Sequence, residues 1–253
     1  MNDRRDLVPL QKTRLHEGIV DLLKNRILSG ELPAGEKLPA ERDLAESLAV
    51  NRSTVREAMK KLEMLGLVGI HHGDGVYVMD YLESGNLELL PDLMRAGGRI
   101  NMDILRGLLD LRRLIMPDVA YQAALNRTDG DLAEMERVLR DDTLMSNNGR
   151  DMELYRLIAR ASKNIPFLLV LNFFNNSGLV DELLNLYFSD RRNMARTVRF
   201  YEEILNAIGD RKPDTAKRIM HELLAFAEKK TVAILEKAEK DNDVHHVKDS
   251  RGG

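Results

Sequence analysis

Arg52, Ser53, Thr54 and Arg56 stand together at 52–56, with Lys60 and Lys61 one turn on. Arginine can meet two acceptors on a guanine edge, and a Ser or Thr hydroxyl can reach a base or a phosphate. Placed on the first turns of a helix, such residues enter the major groove of duplex DNA. Taken alone, Arg52, Arg56, Lys60 and Lys61 fit an ordinary solvated helix face equally well. Covalent chemistry has weaker candidates. The 253 residues include no Cys, which removes thiol nucleophiles, disulfides and thiolate metal sites. Ser162 and Ser177 lack a nucleophile-elbow context, and no His–carboxylate spacing suits a metallohydrolase. The chain reads as a binding protein with no catalytic residue.

The elements around 52–61 strengthen the DNA reading. Pro39 precedes a helix with Glu41 and Asp43 in its first turn, where the helix dipole favours acid. Leu44, Ala45 and Leu48 share one face of it, and small Ala45 permits a close helix crossing. Ala49-Val50-Asn51 makes a short turn. A second helix begins near Arg52, with Val55, Met59, Leu62 and Leu65 inward and Arg52, Ser53, Thr54, Arg56, Lys60 and Lys61 outward. Gly66 is placed to end it as a C-cap glycine. Leu67–Ile70 and Val76–Val78 have strand composition, and His71-His72-Gly73-Asp74-Gly75 supplies a glycine-bearing hairpin tip. The order is helix, turn, helix, wing.

Composition mostly excludes. A 28.8 kDa chain has room for one or two domains, each with its own core. No apolar run approaches the roughly 18 residues of a membrane span, and the polar start MNDRRDLVPL is no signal peptide, so a cytoplasmic protein is expected. The net charge is -3, and residues 1–79 hold 12 Lys plus Arg against 12 Asp plus Glu. Within 52–61, however, four basic residues face the single acid Glu57. The positive surface is a local patch, so non-specific DNA affinity should be modest.

Residues 8–79 resemble the winged helix-turn-helix domain of the GntR family of bacterial transcription regulators. The likeness rests on Gly30-Glu31-Leu32-Pro33-Ala34-Gly35, Leu38-Pro39-Ala40-Glu41-Arg42-Asp43-Leu44-Ala45, Asn51-Arg52-Ser53-Thr54-Val55-Arg56-Glu57-Ala58 and Gly73-Asp74-Gly75. It implies that Arg42, Arg52 and Arg56 contact an operator, with Ser53 and Thr54 at hydroxyl positions. His72 and Gly73 fall in the wing, where His72 reaches toward the minor groove. Asp74 departs from expectation, because a wing tip approaching phosphates prefers a neutral or basic residue.

Residues 80–100 change character, with Gly85, Pro91, Gly97 and Gly98 interrupting short apolar pieces, and predict a linker with one short helix. From 101 to 240 the pattern is helical, with segments near 101–126, 129–146, 150–163, 166–188, 192–209 and 213–239. Asn175-Asn176-Ser177-Gly178 is expected to kink or split the fourth. The polar, Gly-ended stretch 241–253 is expected to be a disordered tail. The predicted fold is therefore mainly α: a winged helix-turn-helix followed by an all-α antiparallel bundle.

This bundle resembles the FCD domain, the effector-binding module of the FadR subfamily. The anchoring stretches are Leu109–Leu114, Asp151–Arg156 with Ala159–Asn164, and Tyr201–Asp210. Most such domains bind a divalent metal through one Asp and three His. Here Asp151 keeps the acidic position, but Tyr155, Tyr201 and Leu223 stand where the His residues belong. Phenols and a leucine do not replace imidazoles on zinc-like ions, so no metal or other cofactor is expected. The resemblance makes Arg112, Asp151, Tyr155 and Tyr201 the candidate effector residues. Arg112 would anchor a carboxylate or pair with Asp151 inside the bundle. The fatty-acid-responsive branch, whose effector is acyl-CoA, also carries aromatics at the vacated positions, and 83–87 and 185–188 lean toward it. Its glycine- and tryptophan-bearing final helix is absent here. The expected partners are a double-stranded DNA operator, a second copy of the chain forming a homodimer, and a small effector (acyl-CoA or a carboxylate), with no membrane. The alternative is an architectural or constitutive DNA-binding dimer without an effector.

Overall fold

The computed structural model describes residues 11–95, 100–140, 147–176 and 179–249. The expected domain start at 8, the glycines at 97–98, the helical stretch 141–146, the break at 177–178 and the last residues 250–253 lie outside the described residues. The chain divides into two compact units, Met1–Leu105 and Arg106–Gly253.

The first unit opens with α1 (Gln11–Leu28), a helix not expected from the sequence. Its signal is the spacing of Ile19, Val20, Leu23 and Ile27, all buried, which seat α1 on α3. α2 (Glu41–Ser47) and α3 (Arg52–Met64) follow, joined by a tight turn in which Ala49 takes φ 51°. Val55, Ala58, Met59 and Leu62 form the inner face of α3 and meet Leu38, Leu67, Val68 and Val78 in one core. Burying each such large side chain stabilises the unit by about 1.5–3 kcal/mol. α3 ends as expected at Gly66, whose φ is +74°. The Gly66 amide donates to Glu63 O and the Leu67 amide to Leu62 O, both at 2.9 Å, the paired bonds of a Schellman cap.

The wing is an antiparallel hairpin of β1 (Val68–His71) and β2 (Gly75–Val78), in register Val68 to Val78 and His71 to Gly75. Lys37 bridges to Tyr77, so the segment before α2 extends the hairpin. The region expected to be a linker with one short helix holds α4 (Tyr81–Ser84), a 3-10 turn (Leu87–Leu89) and α5 (Leu90–Met94). It is tied down: Leu89 is buried in the first core, Ser84 Oγ donates to Gly66 O at 2.7 Å, and Asn86 Nδ2 donates to Met64 O at 2.8 Å.

The remaining described residues are mostly helical. α6 (Met102–Asn126), α7 (Asp129–Arg140), α8 (Asn147–Ala161), α9 (Ile165–Asn176), α10 (Leu179–Phe188), α11 (Arg191–Gly209) and α12 (Pro213–Asp249) follow in order. α7 starts as a capping box: the Thr128 amide donates to Asp131 Oδ2 at 2.9 Å and the Asp131 amide to Thr128 Oγ1 at 3.1 Å. α7, α8, α11 and α12 bury Met135, Val138, Leu154, Ile158, Ile204, Ile208 and Met220 against Ala120, Ala123 and Ala124 of α6. Those alanines let helices approach closely.

Two expectations need correction here. α8 opens at Asn147 rather than at 150. The stretch 241–249, expected to be disordered, continues α12 as helix to Asp249. Polarity there argues against burial and not against helix, and no Gly or Pro stops the backbone before Gly252.

Candidate functional site

In the first unit, Arg42, Arg52, Ser53, Arg56, His72 and Gly73 are all exposed. α2 and α3 position the first four, and the hairpin tip positions the last two. Thr54 is the exception. It is 4% exposed, on the inner face with Val55 and Ala58, because Thr54 and Ala58 are one helical turn apart. The expectation that Thr54 faces outward is corrected: its hydroxyl is not on the surface that carries Arg52 and Arg56. Asn51, the N-cap of α3, makes no side-chain cap bond. The Thr54 amide donates to Asn51 O at 2.9 Å, which leaves the amides of Arg52 and Ser53 open to water or to an anion.

Among the described residues, several cations of this unit are matched by carboxylates, and those that meet Arg56 and Lys61 come from outside α3. Arg56 Nη2 meets Glu41 Oε2 at 2.9 Å, Arg42 Nε meets Asp43 at 3.0 Å, Lys60 meets Glu57 at 3.2 Å and Lys61 meets Glu88 at 3.4 Å. Arg52 has no carboxylate partner among the described residues. The local positive patch is therefore weaker than its residue count suggests.

Asp74 at the wing tip is also accounted for. Lys37 Nζ lies 2.7 Å from Asp74 Oδ1, and the Tyr77 hydroxyl donates to Oδ2 at 2.8 Å. These hydrogen bonds, from Lys37 first and then Tyr77, hold the Asp74 carboxyl below its ordinary range. Lys37 also lies over the Tyr77 ring, 5.2 Å from its centre. The acid is neutralised locally by a residue 37 positions away in sequence.

In the second unit the four candidate effector residues meet. α6 brings Arg112, α8 brings Asp151 and Tyr155, and α11 brings Tyr201. The Tyr201 hydroxyl donates to Asp151 Oδ1 at 2.7 Å. The Arg112 guanidinium lies 4.3 Å from the centre of the Tyr155 ring, and the rings of Tyr155 and Tyr201 pack edge to face at 5.9 Å. Tyr187 lies beside them, its hydroxyl 2.8 Å from Thr197 Oγ1. No direct ion pair joins Arg112 to Asp151, so the internal pair that the sequence offered as one option is not present. Leu111, the sequence neighbour of Arg112, is among the exposed large apolar residues.

Burial sets the electrostatics of this cluster. It pushes the Asp151 carboxyl above the ordinary carboxylate range, against the pull of Arg112 and of the Tyr201 hydrogen bond. It pushes the Tyr155 phenol to about 12 and the Tyr201 phenol well up, the latter helped by the Asp151 charge. Burial works against the Arg112 cation, but Tyr155, Asp151 and Tyr201 together favour it and leave its pKa raised. Both phenols thus stay protonated near neutral pH.

The donor set does not fit the divalent metal of similar domains. The Tyr201 hydroxyl is committed to Asp151, Tyr155 is buried against Arg112, and Leu223 offers no donor. His221 is exposed and turned away from buried Leu223. Among the described residues no group of three or more His, Cys, Asp or Glu could hold a metal.

Comparison with known proteins accords with this geometry. The family model described as bacterial regulatory proteins, gntR family, matches residues 15–78, and the FCD domain model matches 107–226. The HTH-type transcriptional regulator Mce2R of Mycobacterium tuberculosis is 30% identical over 237 residues, covering 90% of this chain and 96% of its own. LutR of Bacillus subtilis, also an HTH-type transcriptional regulator, is 30% identical over 72% of this chain and 85% of its own. The solved structure of Lar, which controls expression of the Listeria monocytogenes agr system, covers 90% of this chain and 99% of its own. Its TM-score is 0.55 at 17% identity, a likeness of fold alone.

Proposed function

The chain belongs to the GntR family of bacterial regulatory proteins and carries an FCD domain, and from that premise we propose an effector-responsive repressor that binds a palindromic operator as a homodimer. It is a DNA-binding transcription regulator and not an enzyme. One wing and one recognition helix cover only a half-site, which favours a two-fold dimer on an inverted repeat.

The observation that carries the effector reading is Arg112. Its guanidinium is enclosed in the bundle over Tyr155, with no carboxylate in ion-pair contact among the described residues. A cation whose nearby carboxylate, Asp151, acts on it only through space and makes no contact leaves its donors open to an anionic ligand, and the planar guanidinium suits a carboxylate. We therefore take the effector to be a carboxylate or an acyl-CoA, with Tyr155 and Tyr201 as its apolar walls. Asp151, held by Tyr201, would orient that wall and not touch the anion.

The second reading, a constitutive DNA-binding dimer, is favoured by one observation: Asp151 and Tyr201 satisfy each other where similar domains bind metal. Thermal melting against small carboxylates and acyl-CoAs separates the two, because a ligand of the folded state raises the melting temperature. A stabilising compound whose effect is lost in Arg112→Ala, and which changes DNA affinity, supports sensing through this site. A compound that acts equally on Arg112→Ala removes Arg112 from the effector site. No response to either class favours the constitutive dimer.

A further inference from the structure

Glu41 opens α2, and Arg56 lies on the exposed side of α3, one turn beyond Arg52. Arg56 Nη2 and Nε donate to Glu41 Oε2 at 2.9 and 3.2 Å, and Nε also reaches Oε1 at 3.4 Å. The side edge of the guanidinium is thus occupied. A guanidinium has five N–H donors in a fixed plane, so its end edge, the two terminal nitrogens, can still meet two acceptors on one base. The pair is at the surface, with side chains 61% and 32% exposed. It is held by helix packing: Ala45 of α2 is buried in the core with Val55 and Ala58 of α3, and the Val50 amide donates to Ala45 O at 3.0 Å.

The two arginines of α3 are therefore unlike. Arg52 has no carboxylate partner among the described residues, while Arg56 is oriented and offset by a carboxylate from another helix. Lys60 also has an acid, Glu57, but through a single contact along one exposed helix, which fixes little.

We propose that Glu41 is a specificity-determining, positioning residue for DNA recognition: it fixes the plane of Arg56 and offsets its charge, so that Arg56 discriminates a base pair instead of adding sequence-independent attraction to phosphates. This rests on the reading of α3 as the recognition helix. The charge of an unattended Arg56 would be free to follow the nearest phosphate, raising affinity for any duplex and steepening its salt dependence. A paired Arg56 contributes little to that background.

The test uses the full chain and a duplex selected by the wild type from a randomised double-stranded DNA pool. Affinity is then measured at several salt concentrations for that duplex, its single-base variants and a scrambled duplex. Arg56→Ala identifies the base pair that depends on Arg56. Glu41→Gln keeps size and removes charge, and Glu41→Ala serves if Gln disturbs α2. In either Glu41 variant, discrimination at the Arg56-dependent pair should fall by roughly 10-fold, with the other positions unchanged. Affinity for the scrambled duplex should rise, with a log–log salt slope steeper by about 0.9 per half-site. Wild-type discrimination at that pair, an unchanged salt slope, or a uniform loss at every sequence overturns the proposal. If no duplex is selected, or if Arg56→Ala alters no position, the recognition-helix reading itself fails and takes this role of Glu41 with it.

Discussion

Arg127 and Arg211 exchange helix caps. Arg127, just past α6, donates from Nη2 to Gly209 O at 2.6 Å and from Nε to Ile208 O at 3.4 Å, at the end of α11. Arg211, just past α11, donates from Nη1 to Leu125 O at 2.8 Å and from Nη2 to Arg127 O at 3.1 Å, at the end of α6. Each cation lies at the negative end of the other's helix and meets its last carbonyls, of which Ile208 O also accepts from the Arg211 amide at 3.2 Å. Asp129 pairs with Arg127 and holds it in place.

Because the Arg127 side chain is only 9% exposed, Arg127→Ala should destabilise the second unit by about 1–3 kcal/mol, the cost of leaving the part-buried Gly209 carbonyl unmet. Arg211→Ala, nearer solvent, should cost less. Urea unfolding of the single and double variants checks this. Strictly additive effects would mean that the two caps are independent.

Gly66 combines a left-handed φ of +74° with a close approach, since a Cβ there would strike the Ser84 carbonyl. Gly66→Ala should cost the DNA-binding unit at least about 2 kcal/mol and displace the 80–89 segment from the end of α3. Amide exchange of residues 62–67 would report it. Unchanged protection at Leu67 would contradict the strain argument.

Arg52→Ala should weaken operator binding by about 1–3 kcal/mol and leave the fold intact, because among the described residues no carboxylate pairs with it. Mobility shift and circular dichroism on the same sample decide it. Wild-type affinity would remove Arg52 from the interface.

Asp131 receives Lys163 Nζ at 2.6 Å and both donors of Thr128. Burial opposes its ionisation, but these bonds prevail and hold it down at about 2, below the ordinary 3.8. A depressed acid contributes stability above its unfolded pKa and loses it as pH falls through the folded value. With Lys163 half exposed, the contribution at neutral pH is discounted to about 1–2 kcal/mol. Asp131→Asn should therefore melt below wild type at pH 7, with the gap narrowing as pH falls from about 4 toward 2. A gap independent of pH would assign the loss to packing.

Purified, dialysed protein should contain well under one equivalent of Zn, Ni or Mn by elemental analysis, because Tyr155, Tyr201 and Leu223 offer no imidazole. Stoichiometric metal would place ligands elsewhere. Tyr201→Phe should destabilise the bundle, since it leaves the buried Asp151 carboxyl without its donor.

The sequence by itself determined what is local. The period of Val55, Met59 and Leu62, the glycine at 66 and the turn at 71–75 specify a helix, its stop and a hairpin, because each depends on neighbours within a few residues. The absence of imidazole at 155, 201 and 223 was equally legible. Side-chain direction was less so: Thr54 and Ser53 are chemically alike, and only the rotation of α3 against α1 and α2 sends one inward and leaves the other in solvent. What tertiary structure alone decided are pairings across long separations. Glu41 with Arg56, Lys37 with Asp74, Asp151 with Tyr201 and Arg127 with Arg211 form only when helix crossings and strand register bring them within about 3 Å. No spacing rule encodes such distances. A carboxylate that looks like a liability in the sequence, as Asp74 does, becomes a partner once packing supplies its cation.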